Sequence, residues 1–206
     1  MCHDHLVMMI VVLAGVAGSG KTAVGRALAD QLGWAFEDAD ALHSPADIAK
    51  MHSGVPLTDA DRWPWLEAVA AWLDARIAAG TPAVVACSVL KRSYRDLLYR
   101  GRPAIQIVML QADAATLTAR LIARRGHFFP AKLLQSQLSD LEMPDHDERT
   151  LVVPTVHPPA EIADEIIRRL GLTPAPPGGL PWGLARDERR RDEAQAGPAR
   201  HLQPGL

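Results

Sequence analysis

One segment constrains this chain more than any other: a glycine-rich loop, residues 15–22 (GVAGSGKT), with the spacing G-x-x-x-x-G-K-[ST]. Residues 6–14 before it form a continuous apolar run rich in Val and Ile, which predicts a buried parallel strand. Residues 21–32 after it carry apolar side chains at helical spacing, and Gly33 is typical of a helix end. A strand, this loop and a helix in that order predict a phosphate-binding loop.

The loop residues define a chemistry. Glycines let backbone N–H groups turn inward around a phosphate, and the helix N-terminus adds partial positive charge. Lys21 is expected to reach the β- and γ-phosphates of a nucleoside triphosphate, and Thr22 to offer its hydroxyl to Mg²⁺. The predicted nucleotide site comprises Gly15, Val16, Ala17, Gly18, Ser19, Gly20, Lys21 and Thr22. Switches, motors and kinases share such a loop, so the loop alone does not define the activity.

Strand and helix patterns alternate along the rest of the chain. Strands are predicted at residues 34–38, 83–88, 105–110 and 151–153, and helices at 64–79, 91–100, 113–125 and 160–170. This alternation predicts a parallel sheet covered by helices on both faces, a three-layer α/β/α fold. We expect one domain over residues 1–171. Residues 172–206 are rich in Pro, Gly and charge without apolar periodicity, which predicts a disordered tail.

Charge and cysteine content exclude several classes of protein. Lys and Arg number 22 against 24 Asp and Glu, a net charge of −2 that offers no general field for nucleic acid or an anionic membrane. The apolar run at 6–14 is too short to cross a bilayer. Two cysteines, Cys2 and Cys87, make no disulfide framework. We therefore expect a cytoplasmic protein with neither a nucleic-acid nor a membrane partner.

Two acids follow the second predicted strand. Asp38 and Asp40 are two residues apart, so on an extended segment their side chains share a face at the end of the sheet where ligands bind. One carboxylate suits metal-bound water, and the other suits the hydroxyl proton of a phosphate acceptor. The spacing alone leaves open which acid is the base; we assign Asp38 to the metal and Asp40 to the acceptor. The alternative is a capping acid and a turn acid.

Three further blocks carry a family resemblance. The first is D-A-L-H from Asp40, continued by K-M-H-S-G-V-P-L-T-D-A-D-R at 50–62 and by W-L at 65–66. The second is C-S-V-L-K-R-S-Y-R-D-L-L at 87–98, and the third is R-L-I-A-R-R-G-H-F-F at 120–129, followed by Gln137, by L-E-M-P at 141–144 and by the acids Asp147 and Glu148. Together with the phosphate loop, these blocks resemble the gluconokinase family over about residues 7–170. Ala39 and Val89 depart from its common Gly and Ala, and the tail has no counterpart.

The resemblance implies a P-loop, shikimate-kinase-like enzyme that moves the γ-phosphoryl of ATP to the 6-hydroxyl of D-gluconate with Mg²⁺, as a homodimer. Its implied catalytic residues are Lys21, Asp40 and Arg124, with Arg120 and Arg124 on the nucleotide and Thr22 and Asp38 at the metal. The implied acceptor contacts are Asp40, His43, Lys50, Arg62, Ser88, Lys91, Arg95, His127 and Gln137. Two alternatives remain: a kinase of another small hydroxy acid, and a nucleotide-binding regulator without catalysis.

The segment at about 126–137 is predicted to be a mobile lid, since a phosphoryl group in transfer must be shielded from water. Arg124 precedes it and is expected to meet the transferring phosphate, a role worth about 10³–10⁵ in rate. Lys lacks the planar fork that spans two phosphate oxygens, so Arg124→Lys should lose most of kcat with little change in the acceptor KM. Steady-state kinetics check this, with Arg125→Lys as the neighbouring control. Equal mild effects in both variants would contradict it.

Overall fold

A computed structural model of the protein describes residues 8–123 and 131–176, and structural statements below concern these ranges. Five parallel strands form one sheet in the order β2-β3-β1-β4-β5. The strands are β1 (Ile10–Ala14), β2 (Ala35–Asp38), β3 (Ala83–Ala86), β4 (Ile105–Gln111) and β5 (Leu151–Pro154). The helices are α1 (Lys21–Leu32), α2 (Pro45–His52), α3 (Asp59–Ala79), α4 (Arg92–Tyr99), α5 (Ala114–Ala123), α6 (Ala131–Asp140) and α7 (Pro159–Leu170), and a 3₁₀ turn spans Ala39–Leu42.

Helices cover both faces of this sheet. On one face, Ile10, Val12 and Ala14 of β1 pack with residues of α3 and α4. On the other, Val11 and Leu13 pack with residues of α1 and α7. Because successive residues of β1 point to opposite faces and all five are buried, the strand is apolar throughout. The predicted three-layer α/β/α fold is confirmed.

One glycine sets how closely α1 approaches the sheet. A Cβ built on Gly25 would lie 2.4 Å from Cε2 of Phe36 on β2, closer than carbon atoms can approach. The missing side chain therefore lets α1 rest directly on the Phe36 ring. This contact brings the start of α1 and the end of β2 to the same edge of the sheet, where the candidate site lies.

Three helices differ from the sequence prediction. Helix α3 begins at Asp59, five residues before the predicted start at Pro64. Thr58 and Asp61 form a reciprocal capping box there, in which each side chain accepts from the other's backbone N–H. Helix α2 was not predicted; Ser44 caps it by accepting from the Asp47 N–H. Residues 131–137 of the predicted lid form most of α6, and their mobility stays a prediction.

The ordered domain extends past its predicted end. Leu172 packs against the core between α1 and α7, and the Ala175 N–H donates to the Gln31 carbonyl at 2.8 Å. Contacts with the domain therefore continue to Ala175, beyond the predicted boundary at residue 171. Residues 177–206 of the predicted tail lie outside the described ranges. Among the described helices, none is both long and apolar enough to cross a membrane.

We expect truncation to separate the packed residues from the tail. A chain ending at Pro176 should melt within a few degrees of the full chain and keep its activity. A chain ending at Gly171 loses the Leu172 packing and the Ala175 hydrogen bond, about 1 kcal/mol or more, so its Tm should fall by a further 2–4 °C or so. Calorimetry of the three chains measures this. Equal Tm values for both truncations would contradict the revised boundary.

Candidate active site

The phosphate loop is shaped by its first glycine. Gly15 has a φ of 136°, and a Cβ there would lie 2.7 Å from Ser19 Oγ and 2.8 Å from the Leu110 carbonyl. A side chain at Gly15 would therefore collide with both the loop and the end of β4. Gly18 and Gly20 also have positive φ values, 81° and 101°. The loop turns back on itself through conformations that glycine adopts at low cost.

The side chain of Lys21 bends back over the phosphate loop. Lys21 Nζ donates to the carbonyls of Gly15 at 2.8 Å and Val16 at 3.1 Å. Helix α1 begins at Lys21, and Gly20 before it has no side chain to cap the helix. The first N–H groups of α1 therefore face the loop together with the Lys21 ammonium, an arrangement that favours an anion. These features fit the triphosphate of a nucleotide.

Thr22 and the acids after β2 lie together. Thr22 Oγ1 donates to Asp38 Oδ2 at 3.4 Å, which joins the start of α1 to the end of β2. The other oxygen, Asp38 Oδ1, accepts from the Asp40 N–H at 3.2 Å and caps the 3₁₀ turn. The capping alternative thus holds for one oxygen of Asp38, while the other faces the loop. A hydroxyl beside a carboxylate is a donor set that suits Mg²⁺.

Asp40 lies at the mouth of the site beside a supporting pair of rings. Its side chain is 67% exposed, and its Oδ1 is 3.9 Å from His43 Nε2. The His43 ring stacks on Trp65 with centroids 4.4 Å apart, and Trp65 Nε1 donates to the Ala39 carbonyl at 2.8 Å. Burial lowers the pKa of His43, against the opposing charge of Asp40. His43 is only 5% exposed, so its ring offers little surface to a ligand and lies beside Asp40 as part of the wall of the site.

Five side chains form what we call the charged cluster. They are Asp59 and Arg62 of α3, Lys91 just before α4, Tyr94 of α4 and Asp140 of α6. Lys91 Nζ donates to both oxygens of Asp59, at 2.8 and 3.0 Å, and Tyr94 donates to Asp59 Oδ1 at 2.6 Å. Arg62 Nη1 donates to Asp140 Oδ2 at 2.7 Å. The hydrogen bond with Lys91 lowers the pKa of Asp59, and the same contact raises that of Lys91. Both groups are charged at neutral pH.

Arg95 requires a correction. It was expected to contact the acceptor because it lies four residues after Lys91, but its side chain is fully buried. Its Nε and Nη2 donate to the two oxygens of Glu148 at 2.6 and 2.8 Å. Its Nη1 donates to the carbonyls of Leu90 and Glu142. With these donors occupied inside the protein, Arg95 fastens the residues after α6 to α4.

Lys50 and Gln137 also differ from the expected acceptor contacts. Lys50 Nζ pairs with Asp61 Oδ1 at 2.6 Å, which ties α2 to the start of α3, and this hydrogen bond lowers the pKa of Asp61 to about 2. Gln137 Oε1 accepts from the Ala17 N–H at 2.6 Å, so it contacts the phosphate loop. Ser88 is half-buried just after β3.

Arg120 lies beside the loop, and its contact with a nucleotide stays a prediction. Its Nη2 donates to the Thr155 carbonyl at 2.6 Å, and its Nη1 to Thr155 Oγ1 at 3.0 Å. The same Nη1 is 3.5 Å from the Gly18 and Ser19 carbonyls. Arg124 and His127 lie outside the described residues.

The sequence prediction gave no role to four groups of the site and its support: Asp59, Tyr94, Asp140 and Glu148. Asp59 and Tyr94 stand within the motif blocks, each three residues from Arg62 or Lys91, and that proximity is the one signal that could have found them. Asp140 lies 20 residues after the start of the third block, and no local pattern marks it. Glu148 is one of the two acids after L-E-M-P that resemble those of the family, but no partner for it could be read from the sequence.

A phosphate loop at the end of a central parallel strand, with acids and a charged cluster beside it, defines a P-loop kinase fold and site. The AAA domain family matches residues 10–144. Gluconokinase of Gluconobacter oxydans is 47% identical over 158 residues, covering 77% of this chain and 89% of that relative. The chain belongs to the gluconokinase family.

Solved structures agree with this assignment. An unliganded sugar kinase from Janibacter sp. HTCC2649 matches with a TM-score of 0.75 and 45% identity, covering 80% of this chain and 95% of that one. A gluconokinase from Sinorhizobium meliloti 1021 matches with a TM-score of 0.72 and 45% identity, covering 80% and 93%.

We expect Arg95 to stabilise the fold. Arg95→Met leaves the buried Glu148 carboxylate without its partner, which typically costs about 3–5 kcal/mol. Denaturant unfolding measures this loss. Arg92→Met is the matched control. Arg92 lies on the same helix as Arg95 but makes an exposed ion pair with Asp147, so its substitution should change stability little. Native stability of Arg95→Met together with a raised acceptor KM would restore Arg95 to the acceptor site.

Proposed function

We propose that this protein transfers the γ-phosphoryl group of ATP to the 6-hydroxyl of D-gluconate, giving 6-phospho-D-gluconate and ADP. The observation that carries the proposal is the meeting of two chemistries at one edge of the sheet. The phosphate loop with Thr22 and Asp38 suits the nucleotide. Asp40 and the two cations of the charged cluster suit a hydroxy acid.

On the nucleotide side, the backbone N–H groups of residues 15–22, the start of α1 and Lys21 would bind the phosphates. Arg120 would grip the nucleotide beside the loop, and Arg124 would meet the group in transfer. Thr22 and Asp38 would hold Mg²⁺. When bound, Mg²⁺ supplies charge neutralisation on the phosphate oxygens.

On the acceptor side, Asp40 would take the proton of the 6-hydroxyl while the hydroxyl oxygen forms a bond to the γ-phosphorus and ADP leaves. Its exposure at the mouth of the site leaves it accessible to a ligand, and the stacked His43 and Trp65 rings lie beside it. Arg62 and Lys91 would bind the gluconate carboxylate, since guanidinium and ammonium groups form charge-assisted hydrogen bonds with carboxylates. Ser88 and His127 remain proposed hydroxyl contacts.

The remaining parts of the proposal rest on the family. We infer a homodimer that works in the cytoplasm. The regulator without catalysis is disfavoured because Lys21, Thr22, Asp38 and Asp40 all remain in the chain. A kinase of another hydroxy acid would use the same two cations, so the acceptor must be tested directly.

The test measures ADP release and the phosphorylated product over a panel of sugar acids, hydroxy acids and sugar alcohols. We expect D-gluconate to give the highest kcat/KM and a product phosphorylated at the 6-hydroxyl. Asp40→Asn should lower kcat by about 10²–10⁴, the usual contribution of a positioned base. Its ATP affinity by calorimetry should match that of the exposed control Asp30→Asn.

Two results would contradict the proposal. Preference for an acid other than gluconate would reject the acceptor. A large loss of ATP affinity in Asp40→Asn would move Asp40 to the metal and undo the assignment of the base.

A further inference from the structure

Helix α6 contacts both halves of the site. Its apolar side chains Leu134 and Leu138 belong to a small core with Val16 of the phosphate loop and Leu90, the residue before Lys91. Because close-packed side chains transmit displacement, a shift of this helix would displace both the phosphate loop and the segment before Lys91.

The polar groups of the same helix reach the same two places. Gln137 Oε1 accepts from the Ala17 N–H at 2.6 Å, inside the phosphate loop. Asp140 accepts from Arg62 Nη1 at 2.7 Å and is 3.4 Å from Lys91 Nζ. Residues three apart lie on one face of a helix, so a single turn carries both Gln137, which contacts the nucleotide side, and Asp140, which contacts the acceptor side.

The charged cluster is already neutralised without a ligand. Its two cations, Arg62 and Lys91, are matched by the carboxylates of Asp59 and Asp140. Adding the carboxylate of an acid acceptor would place three carboxylates beside these two cations, which gives the cluster a net negative charge. The acceptor therefore binds well only when one of the two resident carboxylates withdraws. Asp140 is the one carried by a helix that also touches the phosphate loop.

We propose that the last turn of α6 couples the two substrate sites, with Gln137 responding to the nucleotide and Asp140 releasing Arg62 and Lys91 to the acceptor carboxylate. This inference rests on the proposed function and names Gln137 and Asp140 as positioning residues of the same site. Nucleotide phosphates compete for the Ala17 N–H, so Gln137 must give up this hydrogen bond or turn its amide to donate. Either change displaces the turn that holds Asp140.

The coupling has a defined sign. Nucleotide weakens the hold of Asp140 on the two cations, so it tightens acceptor binding, and linkage requires the acceptor to tighten nucleotide binding by the same factor. Removing the charge of Asp140 produces the same release without nucleotide. A residue that merely supports the fold would instead weaken acceptor binding in both states.

Calorimetry of gluconate binding, with and without a non-hydrolysable ATP analogue, tests this in the full chain. In the wild type the analogue should tighten gluconate binding at least about five-fold, the lower end of typical coupling. Asp140→Asn should bind gluconate more tightly than the wild type without the analogue, and the factor should fall towards one. Gln137→Ala should also lose this tightening by the analogue, while it still binds gluconate when the analogue is absent.

Two matched variants serve as controls. Gln135→Ala lies on the exposed side of α6, and Asp164→Asn is exposed on α7, so both should keep the wild-type factor. A wild-type factor in Asp140→Asn and Gln137→Ala would overturn the inference, as would equal weakening by Asp140→Asn in both states. Absence of gluconate binding to every form rejects the proposed function itself, a result distinct from binding without coupling.

Discussion

The close approach at Gly15 is the constraint on which the site depends. Strand β1 is fully buried between β3 and β4, and its chain must turn immediately past the end of β4. The space there admits no Cβ, since one would lie 2.8 Å from the Leu110 carbonyl and 2.7 Å from Ser19 Oγ. Glycine therefore permits the tight return that aims the start of α1, and with it Lys21, at the phosphate position. The acids after β2 are useful because they end at this same edge.

Much of the fold was predictable because its signals are local. Buried strands are continuous apolar runs, and the loop motif lies between one such run and a helix. The predicted start of α3 was wrong because Pro64 was taken as a helix start, whereas the capping box of Thr58 and Asp61 begins the helix at Asp59, five residues earlier. A proline inside a helix costs one hydrogen bond, which the packing of α3 on the sheet outweighs here.

The acceptor side was less predictable because spacing does not report burial. Lys91 and Arg95 are four residues apart and share a helix face, yet Lys91 contacts the charged cluster while Arg95 is enclosed with Glu148, 53 residues away in sequence. Asp140 contributes through a contact still more distant in sequence, 78 residues from Arg62. Such pairs form only when the tertiary structure assembles, so a local pattern identifies the cation and misses its partner.

The account makes the phosphate loop and its cation the centre of catalysis. The most direct measurement is turnover of Lys21→Ala with ATP and gluconate, beside Lys132→Ala on the exposed side of α6. Lys21 Nζ donates to the loop carbonyls of Gly15 and Val16 and adds little to the core, so the Tm of Lys21→Ala should stay near that of the wild type. The account predicts that Lys21→Ala loses turnover while Lys132→Ala keeps it. Near-normal turnover of folded Lys21→Ala would contradict it.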